Sequence, residues 1–229
     1  MHSNRSREKL AGTLLLLMLV SSLAAVTFAS MVGTNYNVEP DGVAEVLRLV
    51  ASNSVAHQLE IAFDLLSFIF LVAAGVMLHL SFVEHDRVLA TLGGVALVVG
   101  GTILAVHDVF WFVFPAVATE YISASGIRAE VLVDIGHLTI LTANWGLSVG
   151  ITFMGLGLLM FGLLVVLSKP VPPWLGWIGI LAGSLLALGT WLPRIDPDLF
   201  GIWTGLSAPV LLWEIGLGFW LLLKGARRS

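Results

Sequence analysis

His57, Glu60 and Asp64 are the densest group of chemically capable side chains in this sequence. Their separations of three and four residues place them on one face of a helix, and Ser67 continues that face. His107 and Asp108 follow, then Glu120, Asp134 and His137, with Asn144 just beyond. Glu214 stands alone near the middle of the last apolar run. Histidine and carboxylate side chains together can hold a divalent metal such as zinc, and a metal-bound water is a nucleophile for hydrolysis. On that reading His57, Glu60 and Asp64 are ligands from one helix, and His107 or His137 closes the site. No HExxH or comparably tight spacing is present. The plainer reading of such groupings at helix ends is a hydrogen-bonded network or cap. A ligand-binding or transport pocket lies between these two.

The remaining polar residues divide similarly. His79 and His85, near Glu84, Asp86 and Arg87, read as part of a solvated turn. Haem ligation from His79 needs a second deep histidine, and His107 belongs to the other end of the bundle. Glu214 is either a carboxyl held protonated or hydrogen-bonded inside the bundle, or a proton- or cation-coupling group. Arg194, Asp196 and Asp198 suit a surface loop after the fifth apolar run. Phosphate-binding loops, dinucleotide fingerprints, nucleophile elbows and arginine-rich voltage-sensing helices have no counterpart here, and no catalytic residue is assigned.

Ionisable groups are conspicuous because so much of the chain is apolar. Of the 229 residues, 58% are hydrophobic and 11% charged, and the mean hydropathy is +0.97. Soluble domains carry about 25% charged residues, so the excess apolar surface must face lipid. The absence of cysteine excludes disulfides and thiolate metal sites. A net charge of -4 without a long basic run argues against nucleic acid.

Spanning helices need about 20 predominantly apolar residues. Six runs qualify: 10–31, 59–80, 88–112, 144–167, 174–192 and 203–223. They are continuous and leucine-rich, unlike the alternating segments of a barrel. The expected fold is therefore all-α, a six-transmembrane-helix bundle forming a single domain over 1–229. Arg5, Arg7 and Lys9 precede the first run, and Thr27-Phe28-Ala29 could pass as a signal-peptidase site. That run exceeds the 7–15 residues usual for a signal peptide, so it reads as a retained span. Most of the eight tryptophans lie near run ends, where amphipathic rings anchor at the headgroups.

The connections 32–58 and 113–143 are long enough to hold short helices. Val43, Val46, Leu47 and Val50 have amphipathic spacing, and 129–141 leads helically towards the fourth span. With both termini cytoplasmic, eight Lys and Arg lie inside and only Arg48, Arg128 and Arg194 outside. An even number of spans is then required. The polar groups around His57, His107 and His137 belong to the outer side. Glycine rows mark close helix contacts: Gly93 with Gly100, Gly94 with Gly101, Gly146 with Gly150, and Gly176, Gly179 and Gly183.

Two stretches carry a family resemblance. Arg7-Glu8-Lys9-Leu10-Ala11-Gly12-Thr13-Leu14-Leu15-Leu16 leads into the first span. Pro172-Pro173-Trp174-Leu175-Gly176-Trp177-Ile178-Gly179-Ile180-Leu181-Ala182-Gly183 opens the fifth. With six spans and this length, the chain resembles the bacterial and archaeal membrane proteins of domain-of-unknown-function family 4386. The resemblance implies a six-helix membrane fold and brings no activity or site residues with it.

The favoured function is that of a multi-pass protein of a prokaryotic plasma membrane. It binds a small ligand or a membrane partner protein through an outer pocket of His57, Glu60, Asp64, His107, Asp108 and His137, with Glu214 as a further polar group. The alternatives are a small ion-coupled transporter and a metal-dependent intramembrane hydrolase. The balance leans away from an enzyme. No cofactor is expected beyond the zinc-like ion of the hydrolase reading.

Overall fold

A computed structural model describes residues 2–33, 42–196, 199, 201, 205 and 208–224. Asp198, Trp203, Arg227 and Arg228 lie outside the described residues. Among the described residues all regular structure is helical. The helices are α1 (His2–Val32), α2 (Val43–Ser52), α3 (Ser54–Phe82), α4 (Arg87–Ser123), α5 (Ile127–Ser168), α6 (Pro173–Gly189), α7 (Leu192–Ile195) and α8 (Ala208–Leu223).

Local chemistry sets several boundaries. Asp86 caps α4, its carboxylate accepting from the Leu89 amide at 2.9 Å. α5 ends where Lys169 turns left-handed at φ 53°, and Pro173 starts α6 with the fixed φ that suits a first turn. The connection expected over 113–143 is almost entirely helix. α4 runs through Pro115 to Ser123, and α5 begins at Ile127. Pro115 lacks an N–H and interrupts the helix ladder, but it is buried with Phe114, Val117 and Ala118 and the helix continues past it.

Five helical stretches are long and apolar enough to cross a membrane: Arg5–Val32, Ser54–Phe82, Arg87–Ser123, Ile127–Ser168 and Pro173–Ile195. The chain is thus a polytopic helical membrane protein. α8 is apolar but has only 16 described residues, about 24 Å at the helical rise. The run expected at 203–223 begins partly outside the described residues. The 37 residues of α4 and 42 of α5 span about 55 and 63 Å, well beyond a hydrocarbon core of about 30 Å.

Packing partners form a closed circuit: α1 on α3, α3 on α4, α4 on α5, α5 on α6, α6 on α8 and α8 on α1. Inside it lies one core, with Leu15, Leu78, Leu97, Phe161 and Trp213 among its members. A second core occupies one end, where Val43, Val46, Leu47 and Val50 of α2 cover Trp111, Phe114, Leu132 and Ile140 of α4 and α5. This is the α2 end; the turn at 83–86 marks the opposite end.

The glycine rows of α4 serve two neighbours. A Cβ at Gly100 would stand 2.8 Å from the Gly150 carbonyl of α5, whereas one at Gly101 would meet Val72 of α3 at 2.8 Å. Between α5 and α6, a Cβ at Gly162 would lie 2.5 Å from the Ile180 amide nitrogen.

Candidate functional site

α3 starts one residue after α2 ends, so His57 falls in its first turn, with the His57 amide bonded to the Asn53 carbonyl at 3.0 Å. The helix begins earlier than the expected 59, and this extra turn carries His57 to the boundary between the two cores. His57 is buried, with Nδ1 3.2 Å from the Glu60 carboxylate. Its ring lies edge-on to Trp111 at 6.2 Å and tilted against Phe114 at 6.3 Å. α4 therefore forms the wall behind the His57 face of α3.

Asp64 is half-buried one turn further along, and the Ser67 hydroxyl donates to its carbonyl at 2.8 Å. Across the α3–α4 interface stands Asp108, only 1% exposed and within electrostatic range of both Asp64 and Glu60. One carboxylate oxygen, Oδ1, is 3.3 Å from His107 Nδ1. The other, Oδ2, is buried without a hydrogen-bond partner. No Lys or Arg among the described residues pairs with Asp64 or Asp108.

His107 is a bracket between helices. Its Nδ1 lies 2.8 Å from the Leu104 carbonyl, which can only accept, so Nδ1 carries the proton. Nε2 is then the acceptor for the Trp111 indole N–H at 3.2 Å. Both ring nitrogens are engaged, which defines a neutral imidazole. The ring meets Phe68 of α3 at 6.1 Å, and a Cβ at Gly146 of α5 would come within 3.1 Å of the His107 Cβ. A metal taking His107 would have to displace the Trp111 N–H.

The other expected residues are placed apart. His137 is half-buried on α5, next to Gly136, which faces Val43 and Leu47 of α2. No hydrogen bond or ion pair ties it to the His57 group. Asp134 is exposed, and Glu120 pairs with Arg128 at the surface. Glu214, 4% exposed, belongs to α8, which packs on α1 and α6 rather than on α3 or α4. Among the described residues no group pairs with its carboxyl. Its neighbour Trp213 presses an indole nitrogen, also without a partner, towards Gly179 of α6. Glu214 is thus a second polar point, separate from the cluster. His79 is not in a solvated turn: it lies within α3, half-buried, with its Cβ against Gly94 of α4. Among the described residues, no three His, Asp or Glu side chains are gathered as metal ligands.

Sequence reasoning passed over Trp111, reading it as a headgroup anchor. Its spacing of four from His107 was the available signal. It also passed over a polar seam between α5 and the end of α6. There the Ser148 hydroxyl donates to the Thr190 carbonyl at 3.4 Å, and the Trp191 indole donates to Thr152 at 3.0 Å.

Long apolar helices with glycine-mediated contacts define the class as a polytopic helical membrane protein. The chain belongs to the family described as Domain of unknown function (DUF4386), whose family model matches residues 10–225. No curated protein and no solved structure matches it.

Proposed function

We propose that this is a six-span protein of a prokaryotic plasma membrane, one transmembrane domain with both termini cytoplasmic, that binds a small cationic ligand at the α2 end. The pocket consists of Glu60, Asp64 and Asp108, with His57 hydrogen-bonded beside them and His107 holding the wall. The observation that carries this reading is the Asp108 Oδ2 atom, buried without a partner and facing two further carboxyl groups. An unsatisfied buried acceptor costs about 1–3 kcal/mol, more when charged. A ligand that brings positive charge and N–H donors, or a bare cation, relieves that penalty.

The test is thermal unfolding of the detergent-solubilised protein titrated with zinc, calcium, magnesium and small primary amines. At least one of these raises Tm in the wild type and leaves Asp108→Asn unmoved. A panel that shifts neither protein, or shifts both equally, overturns the reading. A zinc shift that also requires His57 moves the assignment to the metal-dependent hydrolase.

A second reading is favoured by Glu214. A carboxyl buried midway along α8 without a partner suits proton or cation coupling, and makes the protein a small transporter. Glu214→Gln then abolishes ligand-dependent flux into proteoliposomes while binding at the α2 end persists. Flux that survives the substitution removes Glu214 from any pathway.

A further inference from the structure

At the end opposite α2, a groove of ≈ 210 Å³ opens between α3 and α4 on the outer surface of the bundle. Its floor is Gly75 and Gly94, which draw the helices together, and its walls include Val95 and Val98. Val76 and Val95 on its rim are 45% and 56% exposed. His79 and Thr91 stand at the end of the groove nearest the 83–86 turn. Arg87 lies one helical turn beyond Thr91 on the same face, exposed and without an ion pair among the described residues.

The groove is therefore graded along its length. A cation sits at the water side, and beyond it the carbon atoms of His79, Thr91 and the valines make an apolar lining. Thr91 already donates to the Arg87 carbonyl at 2.7 Å. The His79 ring makes no hydrogen bond among the described residues, and its Nδ1 is shielded from solvent. This end of the bundle is also the basic one. Arg5, Arg7, Lys9, Arg87, Lys169 and Lys224 stand there against Glu8, Glu84 and Asp86. The Asp86 carboxylate is committed to the α4 cap.

We propose that this groove holds one anionic phospholipid, with an acyl chain over Gly75, Gly94 and Val95 and the phosphate at Arg87. The charge gradient selects the headgroup and the glycine floor admits the chain. A second copy of the protein would bring six basic residues to this end against three acidic ones, so the net charge favours an anionic lipid.

The test uses nanodiscs of phosphatidylcholine containing phosphatidylglycerol, followed by native mass spectrometry of the released protein. The wild type retains phosphatidylglycerol in preference to phosphatidylcholine. Arg87→Gln lowers that retention about fivefold, the equivalent of about 1 kcal/mol for one basic side chain at the membrane surface. Val95→Trp, a change at an exposed position that fills the groove, abolishes it. Equal retention of the two lipids, or wild-type retention in either variant, overturns the proposal. A lipid-free dimer that Val95→Trp converts to monomer assigns the groove to a second copy instead.

Discussion

The two halves of this molecule are held together by different means. In the central bundle the helices touch through glycine. Gly100 lies against Gly150, Gly162 against Gly176 and Gly179, and Gly12 against Gly218, at separations that leave no room for a methyl group. At the α2 end the contacts are between large side chains: Leu47, Trp111, Phe114, Leu132 and Ile140. The contrast follows the solvent. Lipid is as apolar as leucine, so helices within it gain by close backbone approach and dispersion. α4 and α5 are too long for the hydrocarbon core, and where they leave it burying apolar surface is again favourable. The amphipathic α2 covers that surface much as a helix covers the core of a soluble domain. The acidic cluster of Glu60, Asp64 and Asp108 sits at the boundary between these two regions.

Substitutions can break this comparison or sharpen it. Gly162→Leu forces a side chain into the α6 backbone and should destabilise the central bundle by about 3 kcal/mol or more. Loss of folded monomer in detergent, with increased hydrogen exchange throughout α5 and α6, is the expected result. Leu47→Ala removes a fully buried side chain from α2 and should cost about 2–3 kcal/mol. Its hydrogen exchange should rise only in α2 and the adjoining parts of α4 and α5. If both variants loosen the whole molecule alike, the two-region description fails.

Smaller changes probe the boundary and the surface. Trp111→Phe keeps the aromatic wall but strands His107 Nε2 as a buried acceptor, at a cost of about 1–2 kcal/mol. The nitrogen resonances of His107 should report the lost hydrogen bond, and unchanged resonances would remove Trp111 from its bracketing role. Arg128→Gln breaks an ion pair whose side chains are 70% and 46% exposed. Its effect on Tm should correspond to less than about 0.5 kcal/mol, and less again in high salt. A larger loss would mean that the α2 end depends on charge as well as on packing.

Much of this was legible without a structure, because it depends on local period and composition. Apolar run length defines a polytopic helical membrane protein, and the 172–183 stretch with the 7–16 stretch pointed to the family that the match over 10–225 establishes. The spacing of Val43, Val46, Leu47 and Val50 announced the buried face of α2. The spacing of His57, Glu60 and Asp64 placed them on one face of α3, as any helix must. What remained hidden concerns neighbours. Helical period says which residues share a face but not which helix that face meets. Only the tertiary structure divided the α4 glycines between α3 and α5, put Asp108 opposite Glu60 and Asp64, and set Glu214 apart on α8. Only the structure showed that α4 continues past the expected end at 112, through the buried Pro115, to Ser123. The physical reason is that lateral pairing between apolar helices depends on complementary surfaces summed over many weak contacts, and no short stretch of either helix contains that sum.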